Sequence, residues 1–383
     1  MRPHATTTVR TPSWQYAVET GRGLLRHVGE RMAAAQLRPA AAALVCDDAV
    51  EATAGAAVDA SLRAVGARTA RIAMQAREDA KTLATAGDLC ERLLADGFDR
   101  ASALVAVGGG VVGDVGGFVA ATYMRGLPCV QAPTTLLAMV DASVGGKTAV
   151  NLVRADGTLA KNLIGVFQQP RLVVCDPEAL GTLPPRELRS GLAECVKHAL
   201  IADEPMLGWI ESNADPLLAH DPDALGELVA RNVAIKASIV AQDEREQGVR
   251  ALLNLGHTFA HAIESLLHGA CTHGEAVAIG TVAACRLGRE LGIADAALES
   301  RVRALLERVG LPVALPAGAA AHPTADALLH AMAADKKKRD GALRLIVPAA
   351  PGDVRIVDAP DRAAILQAWR AVGAREAAQT ELR

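Results

Sequence analysis

Aromatic side chains are scarce in this sequence of 383 residues: Phe, Trp and Tyr make up only 2%, although hydrophobic residues make up 51%. The cores must therefore be built mainly from Ala, Val, Leu and Ile. The seven cysteines form no CxxC pair and mostly lie in apolar stretches, which predicts small buried side chains in a reducing cytoplasm. The length is sufficient for two domains with substantial cores.

A strong charge of either sign is also lacking, because the net charge is −3 and the pI about 6.4. We therefore expect no nucleic acid partner and no anionic membrane surface. No apolar run is long enough to cross a membrane, since the stretch 105–121 is broken by Asp114 and several glycines. Residues 1–14 contain no apolar segment typical of a secretory signal, so we expect a cytoplasmic protein.

The first half of the chain alternates apolar strands with amphipathic helical stretches, which is typical of βαβ units and a mostly parallel sheet. After Pro184 the periodicity becomes almost entirely helical, apart from a short strand predicted over 343–347. The sequence thus predicts an α/β domain over 1–180 and a mostly helical domain over 181–383.

A glycine-rich turn follows the strand predicted over 103–107. Gly108-Gly109-Gly110-Val-Val-Gly113 matches GxGxxG, in which glycines let the backbone approach a pyrophosphate at a helix N-terminus. The acidic residue expected about 20 positions later is missing, so an ordinary Rossmann site is doubtful, and Asp47 could serve the ribose instead. The alternative is a tight turn that only packs a helix closely.

Two further polar segments are predicted to be loops near this turn. One contains Thr134 and Thr135, and the other runs from Asp141 to Lys147 and Thr148. The second lacks the glycine spacing of a P-loop. Lys161 and Asn162 are predicted to lie in one more loop.

Four of the ten histidines fall within 17 residues, at positions 257, 261, 268 and 273, and those at 257, 261 and 273 are the candidate ligands. His257 and His261 are four apart, so a helix would place both on one face. A catalytic zinc site keeps three protein ligands and one open position. His257 and His273 supply two ligands, and the third could be His261 or a distant carboxylate such as Glu194. Glu194 alone on a helix would usually be a solvated side chain.

Basic residues embedded in apolar or glycine-rich surroundings are a second anomaly of this near-neutral chain. Each one alone is typical of an ordinary surface cation. Together, beside a candidate metal site, they indicate a small anionic substrate that carries carboxylate or phosphate. These residues are Lys147, Lys161, Lys197, Lys236, Arg250, Lys336 and Lys337.

These motifs, taken in order along the chain, resemble those of the 3-dehydroquinate synthase family of sugar phosphate cyclases. The resemblance runs from about residue 16 to the end. It rests on the segments 108–114, 123–126, 133–137, 141–151, 161–165, 183–187, 191–194, 243–246, 254–257, 273–275 and 335–337. It implies an N-terminal NAD-binding α/β domain and a helical C-terminal metal domain. It also implies a homodimer.

The resemblance implies NAD and one divalent metal, zinc or cobalt, as cofactors. The implied metal ligands are Glu194, His257 and His273, which leaves His261 for proton transfer. The implied reaction converts 3-deoxy-arabino-heptulosonate 7-phosphate to 3-dehydroquinate and phosphate, through transient oxidation by NAD, phosphate elimination, reduction and intramolecular aldol cyclisation.

The resemblance also implies roles for individual residues. Phosphate contacts correspond to Lys147, Asn162, His261 and Arg125, with Arg125 supplied by a second subunit. Substrate carboxylate and hydroxyl contacts correspond to Lys236 and Arg250, and the remaining substrate contacts to Asp141, Asn254, Lys197 and Lys337. Nucleotide contacts correspond to Asp47, Glu78, Lys81, Gly109, Gly110, Asp114, Thr134, Thr135, Asp141, Lys147 and Lys161.

Two departures from the family pattern bear on the site. Gln75-Ala-Arg77-Glu78 replaces the usual Pro-x-Gly-Glu turn, and the segment 152–160 is about five residues longer than usual. The alternatives are an aminodehydroquinate synthase, another sugar phosphate cyclase, a polyol dehydrogenase and a binding regulator without turnover. Cyclases for seven-carbon sugar phosphates without a carboxylate usually differ at the positions of Lys236 and Asn254, and both residues are intact here.

Overall fold

A computed structural model describes residues 5–155, 157–267, 269–316, 322–336 and 343–376. The chain forms two compact units. The first contains the residues up to Pro184 together with His220–Gln247, and the second contains Pro185–Ala219 and the residues from Gly248 onward. The predicted division at 180 differs from these units in the segment 220–247, which belongs with the first.

The described residues form eleven β-strands. In chain order they are β1 Ala5–Arg10, β2 Gln15–Thr20, β3 Ala41–Asp47, β4 Arg68–Met74, β5 Ala103–Gly108, β6 Cys129–Pro133, β7 Lys147–Val153, β8 Leu159–Phe167, β9 Leu172–Cys175, β10 Arg344–Ala350 and β11 Asp353–Asp358.

Thirteen α-helices accompany these strands in the part of the chain that the structure describes. They are α1 Val28–Ala34, α2 Ala56–Ala64, α3 Leu83–Ala95, α4 Gly110–Thr122, α5 Pro185–Ala202, α6 Glu204–Ser212, α7 Ala214–Leu218, α8 Pro222–Gln242, α9 His257–Leu267, α10 His273–Glu290, α11 Ala296–Arg308, α12 Ala325–Lys336 and α13 Arg362–Ala371.

The first unit is built on a seven-stranded sheet in the order β1-β2-β9-β6-β5-β3-β4. Only the β1–β2 pair is antiparallel, and the other pairs are parallel. Alternate residues of β5 enter different cores: Leu104 and Ala106 pack with residues of α3 and α4, whereas Val105 and Val107 pack with residues of α1 and α2. Helices therefore cover both faces, which explains the continuous apolar runs of these strands.

Helix α8 explains why 220–247 differs from the prediction. Its helical periodicity is real, but the helix packs against β1, the edge strand of the first unit's sheet. The prediction lacked β1 and β2, since β1 is threonine-rich and the apolar run of β2 is only Tyr16-Ala17-Val18. Without that edge strand, nothing in the sequence assigned the helix to the first unit.

Strands β7 and β8 form an antiparallel hairpin apart from the main sheet. The prediction of loops at Lys147 and at Lys161-Asn162 was wrong, because Lys147 begins β7 and Lys161 and Asn162 lie within β8. Glycines at 145 and 146 made the first segment look flexible, yet the β-branched residues that follow them alternate as a strand requires. Two predicted site lysines thus lie on a β-hairpin whose register shifts between Val150 and Leu152.

The second unit consists of α5–α7, α9–α13 and the β10–β11 hairpin. Its central helix is α10, whose residues 276–285 are all buried. The predicted mostly parallel α/β sheet and helical second region are confirmed. None of the helices in the described ranges has the length and apolar character needed to cross a membrane.

A glycine in α4 lets the β7–β8 hairpin lie close to the first unit's core. A Cβ atom at Gly117 would lie 2.4 Å from Cγ2 of Thr148 on β7. We predict that Gly117→Ala lowers the free energy of unfolding by about 1–3 kcal/mol, measured by urea denaturation, because the hairpin must shift.

Gly87 in α3 provides the matched control, because it is exposed and has no atom within 4 Å of its virtual Cβ. Gly87→Ala should raise stability by up to about 1 kcal/mol, since alanine is the better helix former. Equal effects from the two substitutions would contradict the packing argument.

Candidate active site

The carboxyl ends of parallel strands in the first unit bring together the predicted nucleotide residues. Asp47 ends β3, Gly109 caps α4 directly after β5, and Thr134 follows β6. The backbone N–H of Thr134 donates to the carbonyl of Gly108 over 2.9 Å, which joins two of these turns. Crevices at this edge of an α/β sheet are where nucleotides bind.

The glycine-rich turn is tightly packed, and one of its glycines faces the neighbouring turn. A Cβ atom at Gly109 would lie 3.1 Å from Cγ2 of Thr135, and one at Gly108 would lie 2.8 Å from Cγ2 of Val112. Helix α4 begins at Gly110 with no side-chain cap. Its first N–H groups are therefore free of a capping side chain and could donate to a pyrophosphate.

Lys81 connects three elements of the first unit. Its side chain is 4% exposed, and Nζ lies 2.5 Å from Oδ2 of Asp114 on α4 and donates to Oδ1 of Asn162 on β8. Burial raises the pKa of Asp114, and the ammonium of Lys81 opposes that rise. The pair therefore fixes the ammonium of Lys81 against α4, the helix that follows the glycine-rich turn.

Asn151, which was not predicted as a site residue, holds this network in place. Its Nδ2 donates to Oε1 of Glu78 over 2.8 Å, and its Oδ1 accepts the N–H of Asn162 over 2.8 Å. Asn162 has a φ of 54°, so its backbone lies in the left-handed region. A buried asparagine in a strand is unusual, and this was the available signal.

Two other ion pairs in the first unit involve predicted substrate residues. Nζ of Lys236 on α8 lies 2.6 Å from Oδ1 of Asp141. Lys147 pairs with Glu246, whose side chain is 12% exposed. Glu246 was part of the motif 243–246, but no local pattern indicated that it pairs with a lysine 99 residues away.

In the second unit, three side chains form a group that could hold a metal ion. Glu194 lies on α5, His257 begins α9, and His273 begins α10. One ligand atom from each lies within 4.8 Å of the others. His261, the alternative third ligand, is exposed and its ring centroid lies 5.9 Å from that of His257.

The distances in this group match the dimensions of a zinc-type site. Oε1 of Glu194 lies 3.6 Å from Nε2 of His257 and 3.5 Å from Nε2 of His273. Ligand atoms bonded at 2.0–2.2 Å in a tetrahedron stand about 3.4 Å apart. The three atoms could therefore bind one cation and leave a fourth position for another ligand.

The electrostatics of the group also favour a cation. Burial lowers the pKa of His257 to about 3, with a further contribution from the charge of Lys197, so this ring is neutral as a metal ligand must be. For His273, burial favours the neutral form, but the carboxylates of Glu194 and Glu264 outweigh it and raise the pKa to about 10. Two carboxylates thus create a negative potential at that ring.

Neighbouring groups orient the candidate ligands. Nδ1 of His257 lies 3.2 Å from the carbonyl of Leu255, and Nδ1 of His273 lies 3.5 Å from Oε1 of Glu264. Lys197, one turn along α5, contacts Oε2 of Glu194. Such partners fix the ring orientation of metal-binding histidines. Glu264 was missed, although it lies seven residues after His257 on the same helical face.

The other predicted residues lie as follows. Arg250 is buried and Asn254 half-buried in a 3-10 segment that precedes α9. Lys161 is exposed on β8, and Arg125 is exposed with a φ of 69°. Lys337 lies outside the described residues.

Comparison with known proteins identifies the family. Models of the 3-dehydroquinate synthase N-terminal and C-terminal regions match residues 71–190 and 191–338. The chain belongs to the 3-dehydroquinate synthase family. It is 45% identical, over 89% of its length and 93% of the relative's, to the 3-dehydroquinate synthase of Symbiobacterium thermophilum.

Two solved structures of cyclases also resemble this family member. A 2-deoxy-scyllo-inosose synthase complexed with carbaglucose-6-phosphate, NAD⁺ and Co²⁺ is 27% identical, with a TM-score of 0.85 over 96% of this chain and 99% of that one. A 2-epi-5-epi-valiolone synthase from Streptomyces hygroscopicus with NAD⁺ and Zn²⁺ is 29% identical, with a TM-score of 0.83 over 93% and 96%.

A double-mutant cycle tests the Lys81–Asp114 pair of this 3-dehydroquinate synthase family member. Lys81→Met should cost about 3 kcal/mol in urea denaturation, because it leaves the Asp114 carboxylate with one fewer buried counter-charge. Adding Asp114→Asn should recover part of that loss. Arg77→Met, which removes the exposed pair with Asp79, is the control and should have no measurable effect. Additive losses in the double variant would refute the coupling.

Metal binding can be measured directly. Glu194→Gln should weaken binding of Zn²⁺ or Co²⁺ roughly 100-fold in a chelator competition assay, because it removes the only charged ligand of the Glu194–His257–His273 group. Glu187→Gln, an exposed position on the same helix, should bind like the wild type. Unchanged affinity in Glu194→Gln would place the metal elsewhere.

Proposed function

We propose that this protein acts as a 3-dehydroquinate synthase, which converts 3-deoxy-arabino-heptulosonate 7-phosphate to 3-dehydroquinate and phosphate. The observation that carries the proposal is the Glu194–His257–His273 group, in which Glu194 is buried, in a chain 45% identical to a 3-dehydroquinate synthase over 89% of its length. The reaction is a phosphate-eliminating lyase step without net oxidation.

The same similarity favours this activity over that of a sister cyclase. The two solved cyclases are only 27% and 29% identical to this chain. The cations proposed to bind the substrate carboxylate and hydroxyls, Lys236 and Arg250, are both present and buried. Desolvated cations of this kind bind a carboxylate strongly, and a sugar phosphate without a carboxylate would not make this contact.

NAD and one divalent metal, zinc or cobalt, are the proposed cofactors, as in the two solved cyclases. When bound, NAD supplies a hydride acceptor and donor, and the metal supplies a Lewis acid. The residues proposed to hold the metal are Glu194, His257 and His273. Those proposed to hold NAD are Asp47, Glu78, Lys81, Gly109, Gly110, Asp114, Thr134, Thr135, Asp141, Lys147 and Lys161.

In the second unit, Lys197 is buried and contacts Glu194. The ammonium of Lys197 is proposed to bind a substrate oxygen. Asn254 is proposed to complete these substrate contacts, and Lys337 is assigned to them by the resemblance alone. The exposed ring of His261 is proposed to accept a proton and to bind phosphate. This role is supported by its distance from a proposed metal ligand, since the ring centroids of His261 and His257 lie 5.9 Å apart.

In the first unit, the ammonium of Lys147 and the amide of Asn162 are proposed to bind the substrate phosphate. Both lie on the β7–β8 hairpin, Lys147 at the start of β7 and Asn162 within β8. Asp141 is proposed to bind substrate and to orient Lys236, with which it pairs. Glu246 neutralises Lys147 in the absence of an anionic ligand.

A homodimer is also proposed, as the resemblance to the family implies. Arg125 is exposed on a turn where Met124 and Arg125 both have positive φ, and strained backbone of this kind clusters at functional sites. We propose that Arg125 contacts the phosphate bound by a second copy. A cytoplasmic location is supported by seven free cysteines, five of them buried.

The activity is tested by offering the purified protein 3-deoxy-arabino-heptulosonate 7-phosphate with NAD⁺ and Co²⁺ or Zn²⁺. Equal amounts of phosphate and 3-dehydroquinate should form, without accumulation of NADH. Sedoheptulose 7-phosphate, which lacks the carboxylate, should react with a kcat/KM roughly 100-fold lower, because the buried cations lose a charged partner.

Three outcomes would overturn this assignment. A preference for sedoheptulose 7-phosphate would indicate a sister cyclase. A preference for the aminated analogue of the heptulosonate would indicate an aminodehydroquinate synthase. Stoichiometric NADH without phosphate release would indicate a dehydrogenase.

A further inference from the structure

One stripe of α5 contacts the first three residues of α10 in order. Arg186, Ser190 and Glu194 are spaced by four, so they lie on one helical face about 6 Å apart along the axis. Arg186 binds Glu275, Ser190 binds Gly274, and Glu194 faces His273. The stripe therefore ends at two of the proposed metal ligands.

The middle contact is the closest approach of the two helices. The N–H of Gly274 donates to Oγ of Ser190 over 3.0 Å, and both residues are buried. A Cβ atom at Gly274 would lie 2.1 Å from the carbonyl oxygen of Ser190. No side chain fits at position 274. The hydroxyl of Ser190 therefore binds the backbone of α10 directly, one residue away from His273.

The outer contact fixes the orientation of the α10 N-terminus. Nε and Nη2 of Arg186 donate to the two carboxylate oxygens of Glu275 over 2.8 and 2.7 Å, and Nη2 also donates to the carbonyl of Ala270 over 3.3 Å. Glu275 also accepts the N–H of Thr272, whose hydroxyl accepts the N–H of Glu275 in return. This capping box restrains Thr272 and Glu275, which lie on either side of His273 in the sequence.

We propose that Ser190 and the Arg186–Glu275 pair are positioning residues for the metal centre. They hold His273 at the distance from Glu194 that one divalent cation requires. The proposal rests on the proposed metal role of Glu194, His257 and His273. The residues it adds are neither proposed metal ligands nor proposed substrate contacts, and they include the exposed Arg186.

The test measures Co²⁺ affinity of the full-length protein by competition with a chromophoric chelator, in the absence of substrate. Ser190→Ala and Glu275→Gln should each raise the Kd for Co²⁺ about tenfold, as loss of a supporting contact to a ligand does. Arg186→Lys keeps the charge but loses the bidentate geometry, so its Kd should lie between these values and that of the wild type.

Two matched controls remove similar groups far from the stripe. Ser300→Ala removes an exposed hydroxyl on α11, and Glu290→Gln breaks an exposed ion pair with Arg286 at the other end of α10. Both should keep the wild-type Kd within about twofold, since neither adjoins a ligand. A shift of similar size in these controls would overturn the proposal.

Activity separates positioning from a structural role. At limiting Co²⁺ the Ser190→Ala and Glu275→Gln proteins should lose activity, and saturating Co²⁺ should restore kcat. Folded variants that melt at lower temperature but keep the wild-type Kd would overturn the proposal. If the wild type binds Co²⁺ and the variants bind it more weakly, but no heptulosonate phosphate is consumed, the positioning role stands and the proposed activity fails.

Discussion

The close approach of α10 to α5 is the constraint on which the second unit depends. It is possible only because residue 274 is glycine, since any Cβ atom there would overlap the carbonyl of Ser190. The hydroxyl of Ser190 accepts the N–H of Gly274 at this point. A second glycine contact joins α10 to the start of α9, where a Cβ atom at Gly280 would lie 2.2 Å from the carbonyl of Gly256. Glu194, His257 and His273 lie on the three helices so joined, so backbone packing sets the relative positions of the candidate ligands.

Much of the fold follows from the sequence, because its strands are buried on both faces and are short apolar runs between helical periods. Strands β3, β5, β6 and β9 were predictable for this reason. Edge strand β1 and the β7–β8 hairpin were not, since their sequences are polar or glycine-flanked. The placement of α8 depended on β1 and failed with it.

The candidate site shows the same division. Periodicity could place His257 and His261 on one face, but it could not choose between His261 and Glu194, because that choice depends on how α5 and α9 pack. The resemblance to a family supplied the choice, and the distances between Glu194, His257 and His273 agree with it. Glu246 was missed because it acts through Lys147, 99 residues away in the sequence, and a contact of that kind leaves no local pattern.

Because His273 begins α10, a helix whose residues 276–285 are all buried, the position of this candidate ligand is restrained by the packing of that helix. Residues in a core segment of this kind change position only when a large cooperative part of the structure opens. The scarcity of aromatic residues contributes here, since alanine, glycine and valine along α10 allow neighbouring backbones to come near. A substitution that shifts α10 would therefore change both the packing of the core and the distances between the candidate metal ligands.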